Sequence, residues 1–439
     1  MLEVNGFNVK VIDGQVTWLN SIRLEKEIDD YSPDMIGISV VTPRAKQALE
    51  IASIVKRKKP EICVVLGGPH ITALDGQVIT KDDIDVVVLG EGEYTMLDLV
   101  KAMSGNKDLS AIAGILYKEK DGSVVRTKRR EMVKDIDRLP HPAFHLMPID
   151  KYTPPAAWPN RKKGAYANLM TSRGCPHQCT YCDVNITFGR KYRMHSPEYV
   201  LDDIECLYHK HKVKNFSFRD SIFTLHKDRV KKICRLINER GLDISWECNL
   251  RVNYVDYDLL KMMKDAGCGL VRYGVESGSQ EVLNNACRNT TLDQIRQAFK
   301  VTKKAGLEVH GYFMLGLPGE TKKTIKDTIK FAKEISPDSV GFTIAIPFPG
   351  TEFYNWAKEH DYLRIDDWNS FVYNSAIVET PSLSIKDLMK IQEWALKSYY
   401  LRPSQIFKQF IQMRSWNDLT TNMKYAKLLL FRSRDIHSG

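Results

Sequence analysis

The chain has 439 residues, a formal net charge of +10, and 43% hydrophobic against 27% charged residues. This composition suits a globular chain of two or three domains with a large core. No apolar run reaches the ~18 residues of a membrane span, and the first residues lack the basic and apolar stretches of a signal peptide. Nine cysteines in a chain without such a signal point to a reducing, cytoplasmic interior. The Lys and Arg residues lie mostly beside acids along helices, which is a solvated face and not a nucleic-acid motif.

In chain order, Val9 to Asp13 predicts a strand and 19–31 a helix. Residues 35–40 form a near-continuous apolar run, as buried parallel strands do. Residues 44–59 place Ala48, Ile51, Ala52 and Val55 on one helical stripe. Strands over 62–66 and 86–89 and a helix over 94–103 follow. The expected architecture is α/β, a doubly wound parallel sheet that binds ligands at its C-terminal strand ends. The loops there are Ser39-Val40-Val41-Thr42-Pro43, Gly67-Gly68-Pro69-His70 and Gly90-Glu91-Gly92-Glu93. Their glycines let backbone approach a ligand closely. Residues 113–130 predict a hairpin with Asp121-Gly122 at its turn, and the proline-rich stretch to 160 predicts a linker.

The densest signal follows an apolar run at 168–170. Cys175, Cys179 and Cys182 are spaced C-x3-C-x2-C, with Tyr181 before the last. Three thiolates can hold three irons of a four-iron cluster, whereas full cysteine ligation takes four. One iron is then left open to a substrate. A zinc site is the alternative for such short spacings, with His177 as a fourth ligand. The other six cysteines read as small core residues.

Six strands are expected at 166–171, 214–220, 243–249, 269–275, 308–315 and 340–346, alternating with helices. Ser196-Pro197 is an N-cap followed by proline at the first helical position. Six βα units predict a partial parallel barrel whose site lies at the C-terminal mouth. Strand-end residues there include Asp220, Arg251, Glu276, Ser277, Gly316 and Pro318. Residues 380–439 read as helical. Over 401–439 seven basic residues stand against two acids, a bias that suits a helical cover on the barrel or peripheral membrane contact.

The cysteine spacing resembles the radical S-adenosylmethionine (SAM) enzymes, whose open iron chelates SAM. The three glycine-containing loops, in order, resemble the cobalamin-binding domain ahead of the barrel in one branch of that family. Asp220 to Thr224, Gly241 to Trp246, Gly274 to Ser279 and Leu401-Arg402-Pro403 resemble the branch that contains anaerobic magnesium-protoporphyrin monomethyl ester cyclase and hopanoid-modifying enzymes. The resemblance implies a [4Fe-4S] cluster on Cys175, Cys179 and Cys182, with Tyr181 beside it. It implies SAM contacts from the backbone around Asp220 (amino group), Arg251 (carboxylate), Glu276 and Ser277 (ribose or methionine), and the Leu315 to Gly319 segment, with Gly316 and Pro318 (adenine). Ser39, Thr42, Gly67, Gly68, His70, Gly90 and Glu91 would face cobalamin. Asp-x-His-x-x-Gly is absent from the sequence, so a histidine of that motif cannot sit under cobalt. By the same resemblance Met1 to Phe7 looks like the tail of a first helix, with a central strand expected before it.

The expected domains are a cobalamin-binding-like domain at 1–130, a linker at 131–160, the barrel at 161–355 and a helical cover at 356–439. The expected activity is radical modification of an unactivated carbon of a hydrophobic substrate, a tetrapyrrole or isoprenoid lipid. A donor such as flavodoxin or ferredoxin would supply the electron. The rivals are C-methylation through methylcobalamin, transfer-RNA methylthiolation, and a non-catalytic sensor or carrier. Methylthiotransferases carry further N-terminal cluster cysteines, whereas here only Cys63 precedes Cys175.

Overall fold

The structure is a computed structural model that describes residues 1–412 except 15, 106, 120, 156–160, 366 and 373–374. The aromatic and basic residues expected to form a cover beyond 412, among them Trp416 and Tyr425, lie outside the described residues. In chain order the first strands are β1 (Met35–Ser39), β2 (Cys63–Gly67), β3 (Val86–Val88), β4 (Ile115–Lys118) and β5 (Val124–Arg126). Next come β6 (Ala165–Leu169), β7 (Ser172–Arg173), β8 (Arg193–Met194) and β9 (Val213–Phe218). The last are β10 (Ser245–Leu250), β11 (Cys268–Glu276), β12 (Glu308–Leu315) and β13 (Ser339–Ile344). The chain divides into two compact units, each assembled from three separate stretches.

The first unit comprises residues 1–151, 172–195 and 347–372. Its sheet runs β1-β2-β3-β4-β5, with β1 to β3 parallel and the β4–β5 hairpin added antiparallel. Strand β2 alternates between two cores, as a period of two requires. Val64 and Leu66 pack with Ala45, Ala48, Ala52 and Val55 of helix Ala45–Lys58. Cys63 and Val65 pack on the other face with Leu99 and Ala102 of helix Glu93–Ser104. Both faces are therefore covered, and the strand-end loops are left to carry function.

The expected strand over Val9 to Asp13 does not form. A strand needs a partner, and among the described residues none pairs on the outer side of β1. Val11 and Ile12 stay 41% and 36% exposed, and Lys10 instead reaches Glu27 on helix Ser21–Tyr31 at 2.5 Å.

The second unit comprises residues 152–171, 196–346 and 373–439. Its sheet is six parallel strands in the order β13-β12-β11-β10-β9-β6, the incomplete barrel expected. On β12, Val309, Phe313 and Leu315 are fully buried, whereas His310, Tyr312 and Met314 on the other face are partly open. Phe218 stacks on Phe223 at 4.7 Å and meets Trp246 edge-on at 5.4 Å, anchoring the neighbouring strands. Ser196 caps helix Pro197–His211 by accepting from the Tyr199 N–H. Helices Ile385–Tyr400 and Pro403–Gln412 follow the last strand. No helix among the described residues is long and apolar enough to cross a membrane.

Candidate functional site

In the first unit, the cysteine loop is closed at its base by the two-residue ladder of β7 and β8, where Arg173 lies directly opposite Arg193. Two like charges in register repel. Here a single carboxylate bridges them. Glu91 accepts from Arg173 Nη1 at 2.9 Å and from Arg193 Nη1 at 2.7 Å, and also from the Val133 N–H at 2.9 Å. Glu93 takes the other Arg173 nitrogen at 2.6 Å. Burial works against the Glu91 charge, but the two guanidinium groups and the backbone N–H outweigh it and hold its pKa below the usual carboxylate range. Glu91, expected to face cobalamin, has its carboxylate committed to this network.

Within the loop, Gly174 has φ +81°, and a Cβ there would meet the Lys191 carbonyl oxygen at 2.4 Å. Only glycine allows the chain to turn so close to the opposite limb. Cys175 N–H donates to the Gly189 carbonyl, and Asn185 Nδ2 donates to the His177 carbonyl at 2.8 Å. Burial pushes the Cys182 thiol up to about 12, with Asp183, Cys179 and Cys175 adding to the shift. That mutual influence places the three sulfurs in one neighbourhood. Among the described residues no three His, Cys, Asp or Glu side chains converge on a single-ion position. A four-iron cluster asks for something else, one sulfur per iron over three irons, and three cysteines on one pinned loop fit it. A thiol raised this far stays protonated until iron displaces the proton.

At the strand ends of the first sheet, backbone meets backbone. A Cβ at Gly68 (φ +100°) would lie 2.8 Å from both the N and O of Val40, and Val40 N–H donates to Gly67 O. Ser39 and Val41 are exposed, and Gly90 (φ +75°) faces open space. This bare surface fits a broad flat ligand such as a corrin. His70 turns inward. Its Nδ1 is 3.2 Å from the Thr42 hydroxyl, and its ring meets Trp368 edge-on at 5.0 Å. Burial lowers its pKa to about 4, so it is neutral.

In the second unit, the expected residues occupy different settings. Asp220 is fully buried and ties β9 to the end of β6, accepting from the Thr171 hydroxyl at 2.8 Å and its N–H at 3.3 Å. Arg251 is 2% exposed, with one guanidinium nitrogen 3.5 Å from the Thr290 hydroxyl. Glu276 adopts φ +67°, a conformation costly for a non-glycine residue and concentrated at functional sites. Its carboxylate lies 3.6 Å from Arg288, and together these side chains fill the space a Cβ at Gly274 would need. Ser277 points away from the mouth, toward helix Lys322–Ile335, with its hydroxyl 3.0 Å from that of Thr328.

Gly316 (φ +89°) and Pro318 lie in the loop after β12. Glu320 grips this loop from inside, accepting from the Gly316 N–H at 2.5 Å and the Leu317 N–H at 3.3 Å. Burial raises the Glu320 pKa to about 8 against the pull of those two donors. The folded state thus keeps a proton that the unfolded chain sheds near 4.5. Stability conferred by Glu320 is full below that value and is lost as pH rises to about 8. Glu320→Gln is expected to flatten the fall in Tm between pH 5 and pH 8.5. An unchanged slope would show that Glu320 ionises freely.

The concave face of the barrel holds residues the sequence reading passed over. Arg272 donates to Glu247 Oε2 at 3.0 and 2.5 Å, and Ser217 donates to Glu247 Oε1 at 2.9 Å. His310 Nδ1 is 2.7 Å from the Ser339 hydroxyl, and its ring packs on Tyr312 at 4.5 Å. The signal for these was present as polar residues alternating with apolar ones inside strands. Arg173 and Arg193 were equally visible as basic residues flanking the cysteines.

Comparison with known proteins gives a consistent set of likenesses. The B12 binding domain matches residues 1–100, and the Radical SAM superfamily matches residues 169–332. An uncharacterized methyltransferase of Pyrococcus horikoshii is 35% identical over 92% of this chain and 87% of its own length. The anaerobic magnesium-protoporphyrin IX monomethyl ester cyclase of Rubrivivax gelatinosus is 30% identical over 88% of this chain and 70% of its own. In fold, the chain is similar to the cobalamin-dependent S-adenosylmethionine radical enzyme OxsB with aqua-cobalamin and S-adenosylmethionine bound. That likeness has a TM-score of 0.72 at 18% identity over 95% of this chain and 65% of that one.

Proposed function

The chain belongs to the radical SAM superfamily, in the branch that carries a B12-binding domain, and from that premise we propose that it modifies an unactivated carbon with SAM and cobalamin. The observation that carries this reading is the three-cysteine loop, closed by Gly174 and clasped by Glu91. Cys175, Cys179 and Cys182 would hold the [4Fe-4S] cluster. When bound, the cluster supplies the electron that cleaves SAM, and cobalamin supplies a carrier for a methyl group. The protein's own part is to place and shield. Glu276 and Arg288 at the mouth of β11 would meet the polar part of SAM, with Glu320 holding the Gly316–Leu317 backbone beside it. Asp220 and Arg251 would support that mouth from within.

The substrate is better read as apolar with a polar edge than as a pure hydrocarbon. The concave face carries Glu247, Arg272, His310 and Tyr312, and Arg219 is exposed there at the end of β9 with its Nε on Asn168. A tetrapyrrole with carboxylate side chains offers a counter-charge to the exposed Arg219, which an isoprenoid hydrocarbon does not. Methyl transfer is the second reading. It is favoured by the Pyrococcus relative, which is similar over nearly its whole length and is named a methyltransferase.

The test is anaerobic reconstitution with iron, sulfide and hydroxocobalamin, then reduction and assay with methyl-deuterated SAM. Formation of 5′-deoxyadenosine is expected. Deuterium in a product would establish methyl transfer, and its absence would favour another change at carbon. An intact cluster that never cleaves SAM, with candidate tetrapyrroles present, would sink the enzymatic reading.

A further inference from the structure

We propose that Glu91 is the positioning residue of the cysteine loop: one carboxylate, delivered from a strand-end loop of the first sheet, sets the pose of all three cysteines. The argument begins with charge. Arg173 and Arg193 face each other across the ladder that closes the loop, and their side chains are 17% and 3% exposed. Two guanidinium groups so placed cannot rely on water to soften their repulsion. The Glu91 side chain, 4% exposed, bridges both, and with the Glu93 carboxylate 2.6 Å from Arg173 the two positive charges are balanced. Arg193 also donates to the Phe188 carbonyl at 2.9 Å and the Val133 carbonyl at 2.7 Å. It therefore fixes the return limb of the loop, while Arg173 fixes the outgoing limb two residues before Cys175.

Glu91 directly follows Gly90, whose N–H donates to the Thr72 hydroxyl at 3.0 Å and whose Cα faces open space. A ligand settling on that strand end would touch the backbone that carries the clasp. The clasp thus transmits occupancy of the first sheet to the cysteines. This second consequence rests on the cobalamin reading above, whereas the positioning role does not.

Both are tested by limited trypsin digestion of the iron-free chain, scoring cleavage after Arg190 and Lys191, which are exposed in the loop, relative to cleavage elsewhere. Glu91→Gln is expected to raise that ratio roughly tenfold, and to lower iron retained after reconstitution by half or more. A residue that merely stabilises the fold would raise cleavage everywhere and leave the ratio unchanged, and that result overturns the proposal. Should Glu91→Gln fail to fold, Arg173→Lys and Arg193→Lys keep the charges but lose the fork. The ratio must rise in both, and a parental ratio in both overturns the proposal. Hydroxocobalamin that co-migrates with the parent is expected to slow cleavage at these two sites in the parent but not in Glu91→Gln. Equal slowing in both, or none in either, overturns the transmission. Failure of hydroxocobalamin to co-migrate counts instead against the cobalamin reading, with the positioning role still judged by the ratio.

Discussion

Cys182→Ala is expected to abolish 5′-deoxyadenosine formation, leaving the level of a protein-free mixture. Two sulfurs cannot hold three irons, and the iron left open for SAM exists only while the other three are held. Cys182→Ser is expected to be as inactive as the alanine variant. Its hydroxyl matches the thiol in shape, but an alcohol is a far weaker acid than a thiol and offers a hard oxygen where the cluster takes soft thiolate sulfur. Iron and sulfide content measured beside the product separates loss of the cluster from loss of chemistry. Product at the parental level in either variant would remove the three-cysteine loop from the mechanism.

The second large effect lies in the barrel. Arg272→Met is expected to destabilise the chain by about 3–5 kcal/mol, the usual result of stripping one partner from a buried pair. The Glu247 side chain is 1% exposed, and Ser217 alone cannot satisfy a carboxylate that has lost a two-point guanidinium contact. Replacing both partners, as Glu247→Leu with Arg272→Met, is expected to recover most of the loss, because no uncompensated charge then stays inside. Urea unfolding midpoints of the two singles and the double give the coupling directly. A single-variant loss below about 1 kcal/mol would mean that the pair is hydrated and the concave face wetter than its geometry indicates.

The barrel strands were legible because buried parallel strands announce themselves as β-branched and aromatic runs between glycine and proline punctuation. Residues 308–315, expected as a strand, coincide with Glu308–Leu315. Caps such as Ser196 were legible for the same local reason. Two kinds of feature were not. Val9 to Asp13 has strand composition, but strand formation is decided by a partner elsewhere in the chain. The clasp joins Glu91 to residues 82 and 102 positions away, and no local pattern reports such a pairing. Ser277 shows a third limit. The left-handed turn at Glu276 breaks the alternation of β11, so the side chain after it no longer points where strand periodicity sends it.

The segments that build the first unit, residues 1–151, 172–195 and 347–372, also order its assembly during synthesis. Strands β1 to β5 and the helices packed on them have all been made by residue 151, yet the cysteine loop joins them later and Trp368 later still. His70 therefore stays without the Trp368 ring until most of the barrel has emerged. Through that interval the strand ends of the first sheet lack the Trp368 ring, and a cofactor that uses them, as proposed above, would find them least covered then.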